Sequence, residues 1–276
     1  MSLSQLQREF NKLHRINTQS EPIEKLKRQY AELMKGMYLS WTGGHFDNIW
    51  RAQIGNHDNI KRMWYPPADK VTKLGRLNRK YESLFYACTG HNANLSSIEE
   101  VRAQIGDHVT QICCELTPPY QQYRFLGLGH VFQWKKEQLP EHIKTLNYLN
   151  RLDRQQRFNK KKDFRKNEYI ADRLDTLFKQ DVAHNQEHKY SHSIAITENC
   201  FENFSGVQGI IFPSIASSQN ALNIVIKPNV ADKFLTFKFV RVVEVLFKNN
   251  KYMKLRLRRE ATSIDEDGNF VWKESI

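Results

Sequence analysis

Long hydrophobic runs are missing from this sequence. No segment approaches the roughly 18 apolar residues that a membrane-spanning helix needs. The N-terminal stretch MSLSQLQREFNKLHR lacks the apolar centre of a signal peptide. Neither an internal repeat nor a low-complexity tract is present. We therefore expect a soluble, globular, cytoplasmic protein without a membrane partner.

Cysteine is scarce, and its spacing carries no signature. The four cysteines, Cys88, Cys113, Cys114 and Cys200, contain no Cys-x-x-Cys pair. A chain of 276 residues can build a core without disulfides. We predict reduced, packed thiols.

The chain has ten histidines, but only three of them form a spacing that a metal site could use. His184, His188 and His192 recur every fourth residue and would share one face of a helix, as two metal-chelating histidines can. Their surroundings, AHNQEHKYSHS, are polar and lack the apolar stripe of a packed helix. The sequence therefore favours a protein without a metal.

Positive charge is abundant. Lysine and arginine number 42 against 30 aspartates and glutamates, a net charge of +12, which favours polyanionic or phosphate-bearing ligands. Residues 151–167 alone hold eight basic and two acidic side chains. The segment 151–166 is thus a candidate nucleic-acid-binding surface. It contains no ladder of aromatic residues for stacking bases, so a solvated helix face is the favoured interpretation.

The first forty residues predict two helices. Apolar residues recur at helical spacing, first from Leu3 to Ile16 and then, after Pro22, from Ile23 to Met37. We treat residues 1–40 as a helical extension and residues 41–276 as the main domain. The apolar face of the extension could dimerise, giving a homo-oligomer, or bind a partner, but packing on the main domain is favoured.

The main domain alternates strand-like and helical segments. We predict helices over residues 138–180 and a hairpin turn at Asp265–Gly268. Strands are predicted at Phe46–Ile54, Ser83–Thr89, Val109–Leu116, Ile210–Phe212, Ala221–Pro228, Leu235–Phe247 and Tyr252–Arg259. Strands at both ends with helices between them indicate an α+β fold.

Residues 75–102, GRLNRKYESLFYACTGHNANLSSIEEVR, combine the groups of an anion site facing a carboxylate. Arg76 offers a planar guanidinium, Asn78 an amide and Tyr86 a stacking ring. Ser96 resembles a helix cap that would place Glu99 and Glu100 in a first turn. Each group also has an ordinary role, in a solvated loop, a core or a helix dipole.

A resemblance connects these residues. In chain order, the motifs are Trp50-Arg51, Gly75-Arg76-x-Asn78, Leu84-Phe85-Tyr86-Ala87, Glu99-Glu100-Val101 and Gly209-Ile210-Ile211-Phe212-Pro213-Ser214. Over residues 45–228 the chain resembles the RES domain family, named for an Arg, a Glu and a Ser. The helices of residues 1–40 and an enlarged segment between Trp134 and Ile194 are additions to that pattern.

The resemblance implies an ADP-ribosyltransferase-like β core with inserted helices, and an enzyme that consumes NAD. Family members are toxins of toxin–antitoxin pairs that degrade NAD by hydrolysis or phosphorolysis, and some transfer ADP-ribose to a protein. Implied partners are therefore an antitoxin and a protein acceptor. The family residues fall on Arg76, Tyr86, Glu100 and Ser214, with Glu99 a close alternative to Glu100.

The residue types suit this chemistry. Cleaving the bond between nicotinamide and ribose develops positive charge on the sugar, which a carboxylate such as Glu100 would stabilise. Arg76 would hold the pyrophosphate or ribose, with Arg51 and Asn78 as further binding groups, and Tyr86 would stack on nicotinamide. Ser214 is expected to position the glutamate or the substrate, because the Gly-x-Ser-x-Gly motif of serine hydrolases is absent. An inactive module that binds partners through the N-terminal helices is the remaining alternative.

Overall fold

A computed structural model describes residues 1–35, 40–42, 48–90, 92–119, 123–129, 161–180, 182–183, 185–204, 206–214, 222–249 and 252–273. The described residues form a mixed α+β protein built on one nine-stranded sheet, in the order β1-β5-β6-β7-β3-β2-β4-β8-β9. Neighbouring strands are antiparallel except β5 and β6, which are parallel. The strands are β1 (Ser40–Thr42), β2 (Ile49–Ile54), β3 (Phe85–Thr89), β4 (His108–Leu116), β5 (Phe125–Gly127), β6 (Gly209–Pro213), β7 (Leu222–Ile226), β8 (Leu235–Lys248) and β9 (Met253–Ala261).

Helices cover both faces of this sheet. They are α1 (Leu3–His14), α2 (Ile23–Met34), α3 (Ile60–Met63), α4 (Ala93–Glu100), α5 (Lys161–Phe178), α6 (Ser191–Asn203) and α7 (Pro228–Phe234). Short 3-10 turns lie at Ala68–Lys70 and Glu187–Tyr190. Within the described part of the chain, no helix is both long and apolar enough to cross a bilayer.

The sheet opens between β2 and β3. These two strands pair through Ile49 with Thr89 and through Trp50 with Cys88. The next two residues of β2, beginning with Arg51, continue the ladder with β4 and make no ladder pair with β3. Because each strand stays paired with its other neighbour, the two halves of the sheet separate and leave a gap between β2 and β3.

The two predicted N-terminal helices are confirmed, and they pack on the body of the protein. α1 begins with a capping box in which Ser2 and Gln5 exchange hydrogen bonds. The completely buried Phe10 of α1 and Tyr30 of α2 join a core formed with α5, α6 and the near face of the sheet. Burying an aromatic side chain of this size stabilises the fold by roughly 2–3 kcal/mol, because its apolar surface is removed from water.

The other face of the sheet has its own core. It is built from β-strand residues such as Phe85, Ile112 and Ile224, which α3 and α7 cover together with Trp64 and its neighbours. The predicted C-terminal strand pair is confirmed as β8 and β9. The turn at Asp265–Gly268 is also present, because the Gly268 N–H donates to the Asp265 carbonyl at 3.0 Å.

Several boundaries differ from the predictions. β2 begins at Ile49, three residues after the predicted start, and residues 46 and 47 lie outside the described residues. α4 begins at Ala93 rather than at Ser96, because Asn92 adopts a left-handed conformation (φ 54°) and turns the chain into the helix there. Glu99 and Glu100 are consequently in the last turn of α4, not the first, so the prediction of a Ser96 cap is wrong.

The sequence prediction missed β1, α3, β5, α6 and α7. Residues 125–127, where no strand was predicted, form β5, which is held between β1 and β6. The polar segment 191–203 forms α6, because helices on either side bury it. Of the helices predicted over 138–180, α5 is described, whereas residues 138–160 lie outside the described residues, as does most of the basic segment 151–166.

Candidate functional site

A cavity of about 280 Å³ occupies the gap between β2 and β3. Both strands contribute to its wall, and α4 and the strand pair β6–β7 complete it. Its lining residues are Trp50, Arg51, Ala52, Arg76, Tyr86, Ala87, Cys88, Ser97, Glu100, Val101, Tyr190, Phe212 and Asn223. Four residues predicted from the sequence, Arg51, Arg76, Tyr86 and Glu100, therefore meet in one place.

The carboxylate of Glu100 is held from one side. Ser214, just after β6, donates its hydroxyl to Glu100 Oε1 at 2.6 Å, and Asn223 in β7 donates its amide to the same oxygen at 2.7 Å. The second oxygen, Oε2, has no hydrogen bond from any described residue. Two donors on one oxygen fix the direction of the carboxylate and leave its other oxygen for a ligand in the cavity.

Glu99 and Glu100 end up in different surroundings although they are neighbours. Glu100 lines the cavity, whereas the Glu99 side chain is 8% exposed and buried with contacts of its own. The helix geometry explains the difference, because successive residues point about 100° apart around the axis. The carboxylate that a ligand in this cavity would meet is that of Glu100.

A tight turn presents Arg76. The Gly75 N–H donates to the Asn78 carbonyl at 3.0 Å, and the Asn78 amide group donates to two backbone carbonyls, those of Arg79 and Glu82, at 2.9 Å each. A Cβ at position 75 would lie 2.2 Å from Asn78 Oδ1, so only glycine fits there.

Tyr86 closes this turn. Its hydroxyl donates to Asn78 Oδ1 at 2.7 Å and accepts the Leu77 N–H at 3.0 Å. Burial raises the pKa of the Tyr86 hydroxyl far above its usual value, so it stays protonated. The ring faces the cavity and can stack on a ligand, but the hydroxyl and the Asn78 side chain are committed to the turn. Asn78 thus positions Arg76, rather than offering a free amide as the sequence suggested.

The guanidinium of Arg76 lies over an aromatic ring. Its Cζ atom is 5.9 Å from the centre of the Phe212 ring, close enough for a cation–π contact. The Arg76 carbonyl accepts a hydrogen bond from Ser193 in α6, which ties the turn to the helical layer. Arg76 is therefore held at its backbone while its charged group borders the cavity.

Arg51 crosses the gap in the sheet. Its Nε donates to the Met63 carbonyl and its Nη1 to the Tyr86 carbonyl, both at 2.8 Å. Its guanidinium also lies 5.5 Å from the Phe85 ring. Desolvation lowers the pKa of Arg51 to about 10, so the side chain is still charged at neutral pH.

Sequence reasoning missed Asn223, Phe212 and Tyr190. Asn223 was detectable, because a lone amide inside the apolar strand LNIVI needs a polar partner when it is buried. Asn223 links helix α4 to strand β3, because it donates to Glu100 and accepts from the Cys88 thiol at 3.3 Å. Phe212 and Tyr190 carried no signal, because aromatic residues in a strand or a turn are usually part of a core.

The cysteines and His192 belong to the core. All four cysteines are buried and free, as predicted. Burial raises the pKa of the Cys88 thiol, so this cysteine at the cavity remains a neutral thiol. His192 is buried in α6 and bonds to the Tyr30 hydroxyl through Nδ1 at 2.9 Å. His184 lies outside the described residues. No cluster of potential metal ligands occurs in the part of the chain that the structure describes.

Comparisons with models of known protein families and with curated proteins found no match for this chain. The resemblance to the RES family therefore depends on its ordered motifs and on the chemistry of the residues that carry them.

Proposed function

We propose that this protein cleaves the bond between nicotinamide and ribose in NAD, on an ADP-ribosyltransferase-like core of the RES type. The observation that carries the proposal is the cavity at the split of the sheet. There, the carboxylate of Glu100, which is hydrogen-bonded to described residues through Oε1 only, lies together with two arginines, Arg51 and Arg76, and the ring of Tyr86. A carboxylate, cations for a diphosphate and an aromatic surface are the groups that this substrate needs.

The step itself requires little covalent chemistry from the protein. As the C1′–N bond breaks, nicotinamide leaves as a neutral ring with the bonding electron pair, and positive charge develops on the ribose. Glu100 Oε2 would stabilise that charge or bind a ribose hydroxyl. Ser214 and Asn223 would keep the carboxylate in place, and Arg76 would hold the phosphate groups.

The acceptor of ADP-ribose completes the reaction. Water would give ADP-ribose and a proton, phosphate would give ADP-ribose 1″-phosphate, and a protein nucleophile would give a modified protein. Adding phosphate to the assay separates the second outcome from the first. The toxin role stays a hypothesis, and it predicts that induced expression of the protein lowers the NAD content of the host cell.

The direct test is nicotinamide release from NAD by the purified wild type and by Glu100→Gln, which keeps the size of the side chain and removes its charge. We expect a loss of at least about a hundredfold. Glu115→Gln is the matched control, because Glu115 in β4 pairs with Lys238 at 3.1 Å at the surface, away from the cavity. Full activity in Glu100→Gln would refute the assignment of the carboxylate. No release by the wild type in buffer, with phosphate, or with a cell extract that supplies protein acceptors would refute the proposed function.

A further inference from the structure

A second cavity, of about 400 Å³, meets the first at Arg51 and Tyr86, which line both. The segment from Pro66 to Glu82 forms most of its wall, together with Leu84. Its volume falls within the usual range for small-molecule sites. None of the residues predicted from the sequence as catalytic lies in this cavity except Tyr86.

The wall of the second cavity combines apolar surface with a net positive charge, since Arg51, Lys70 and Lys73 outweigh the one carboxylate among its described lining residues, Glu82. Apolar surface comes from Val71, Leu74 and Leu84. Lys70 and Lys73 add positive charge, and their ion pairs with Asp69 at 3.8 Å and with Glu187 at 3.3 Å are solvent-exposed. Exposed pairs of this kind are weak, so both lysines can still attract an anion.

Arg51 gives the strongest reason to expect an anion. It is a largely desolvated cation, yet the groups that bind it, the carbonyls of Met63 and Tyr86, are neutral. No carboxylate of a described residue pairs with it, and its Nη2 donates to no described residue. A desolvated charge without a counter-ion is costly, so this arrangement is best explained by a ligand that supplies the negative charge.

We propose that the second cavity binds a nucleoside phosphate, with the phosphate at Arg51 and the base against the apolar wall. Two sources share this chemistry. The ligand is either the second nucleotide of NAD itself, whose nicotinamide end lies at Glu100, or a separate nucleotide bound beside the substrate. The first alternative rests on the proposed function, whereas binding of a free nucleotide does not.

The experiment uses AMP as the probe and the full-length Glu100→Gln variant, which prevents turnover. Isothermal titration calorimetry would compare this protein with one that also carries Lys70→Glu and Lys73→Glu. We expect saturable AMP binding, weakened about tenfold or more by reversing the two charges. Lys61→Glu with Lys254→Glu is the matched control, because both lysines are exposed and lie outside the two cavities. It should bind AMP within about twofold of the parent.

Arg51→Gln should also weaken AMP binding. Arg51 holds two backbone carbonyls, so this variant could lose its fold, and the lysine variants provide the test if it does. Competition then separates the two sources. If NAD displaces AMP, the cavity holds the second nucleotide of NAD; if both bind together, the ligand is a separate nucleotide.

The inference is overturned if AMP does not bind, or if it binds equally well to the Lys70→Glu, Lys73→Glu protein. These results are independent of the proposed function, because AMP binding needs no cleavage. A protein that binds AMP through these lysines but releases no nicotinamide from NAD would keep the inference and refute the function.

Discussion

Charged side chains have different partners in two regions of the molecule. At the contact between α2 and α6 they pair with opposite charges, whereas at the cavity in the split sheet they are bound by neutral groups. Between the helices, Glu198 of α6 accepts from Arg79 Nη2 at 2.8 Å and lies 3.3 Å from Lys27 Nζ, and Arg79 also pairs with Glu24. At the cavity, Glu100 is bound by neutral groups on one oxygen, and Arg51 by two neutral carbonyls.

This difference separates stabilising charges from charges kept for a ligand. The charge of a carboxylate surrounded by cations is neutralised by them, so it has little electrostatic effect on a substrate. A charge held in place by neutral donors or acceptors keeps that effect. Substitutions between the helices should therefore lower stability and leave activity unchanged. Substitutions at the cavity should lower activity and leave stability largely unchanged. The predictions below test that contrast.

The largest effect is expected from Gly75→Ala. The new Cβ would collide with Asn78 Oδ1, release the Tyr86 hydroxyl and displace Arg76. A displacement of about 1 Å at a reacting group can cost a hundredfold in rate, so nicotinamide release should fall by at least that factor. Gly106→Ala is the control, because Gly106 has a positive φ of 91°, which Gly75 lacks, and open space around it, so a Cβ there strains the backbone and should lower stability without displacing Arg76. Equal losses in both variants would argue against the role of the turn.

The next effect concerns the stability of the helical layer below neutral pH. Burial lowers the pKa of His192 from its usual 6.5 to about 4, and the pKa of the neighbouring His14 is lowered as well. Between pH 6.5 and pH 4, these two histidines therefore bind more protons in the unfolded chain than in the folded protein. Stability should be highest above pH 6.5 and decrease as the pH falls towards 4, by up to about 3 kcal/mol.

Thermal unfolding between pH 7 and pH 4.5 would measure this loss. His192→Asn places an amide atom near the position of Nδ1, so it can still bond to the Tyr30 hydroxyl but does not titrate, and its melting temperature should fall less over the same interval. If the wild type and this variant respond alike, His192 is not the group responsible.

A smaller effect is expected from Glu198→Gln. Burial by itself would raise the pKa of Glu198, but hydrogen bonds from Arg79 and Lys27 hold it below its usual 4.5. The variant should lose about 1–2 kcal/mol of stability at neutral pH, between the values for exposed and buried ion pairs. In the wild type, the ion pairs of Glu198 contribute to stability above pH 4.5. This contribution is lost at lower pH, because the carboxylate is protonated. Urea unfolding of the wild type and the variant at pH 7 and pH 4 measures the loss caused by the substitution and the loss caused by protonation.

Nicotinamide release by Glu198→Gln should equal that of the wild type at a temperature where both are folded. A loss of activity at unchanged stability would contradict the separation between the two regions.

The smallest effect is expected from Ser214→Ala. Removing one of two donors to Glu100 Oε1 should lower the rate about tenfold, because a hydrogen bond to a charged group contributes about 1.5–3 kcal/mol and Asn223 remains. Ser263→Ala, at an exposed position, serves as the control. Turnover at the wild-type rate in Ser214→Ala would mean that Asn223 alone positions Glu100.

Local patterns in the sequence predicted much of the fold. The helices α1 and α2 were recognisable from apolar spacing, and β4, β8 and β9 from alternation and β-branched residues. β5 was missed because three residues have no pattern of their own, and α6 because its sequence lacks an apolar stripe. Both elements exist because other parts of the chain enclose them.

The sequence by itself determined which chemical groups the site could contain: the glycine that Arg76 requires beside it, the ring at Tyr86 and the acidic pair at 99 and 100. Only the tertiary structure decided that Glu100 rather than Glu99 lines the cavity, that Asn223 joins Ser214 in holding it, and that β2 and β3 separate at Arg51. The reason is physical. Propensity and periodicity act over a few neighbouring residues, whereas Glu100 meets its donors across 114 and 123 positions of sequence, through strand pairing that no local pattern records.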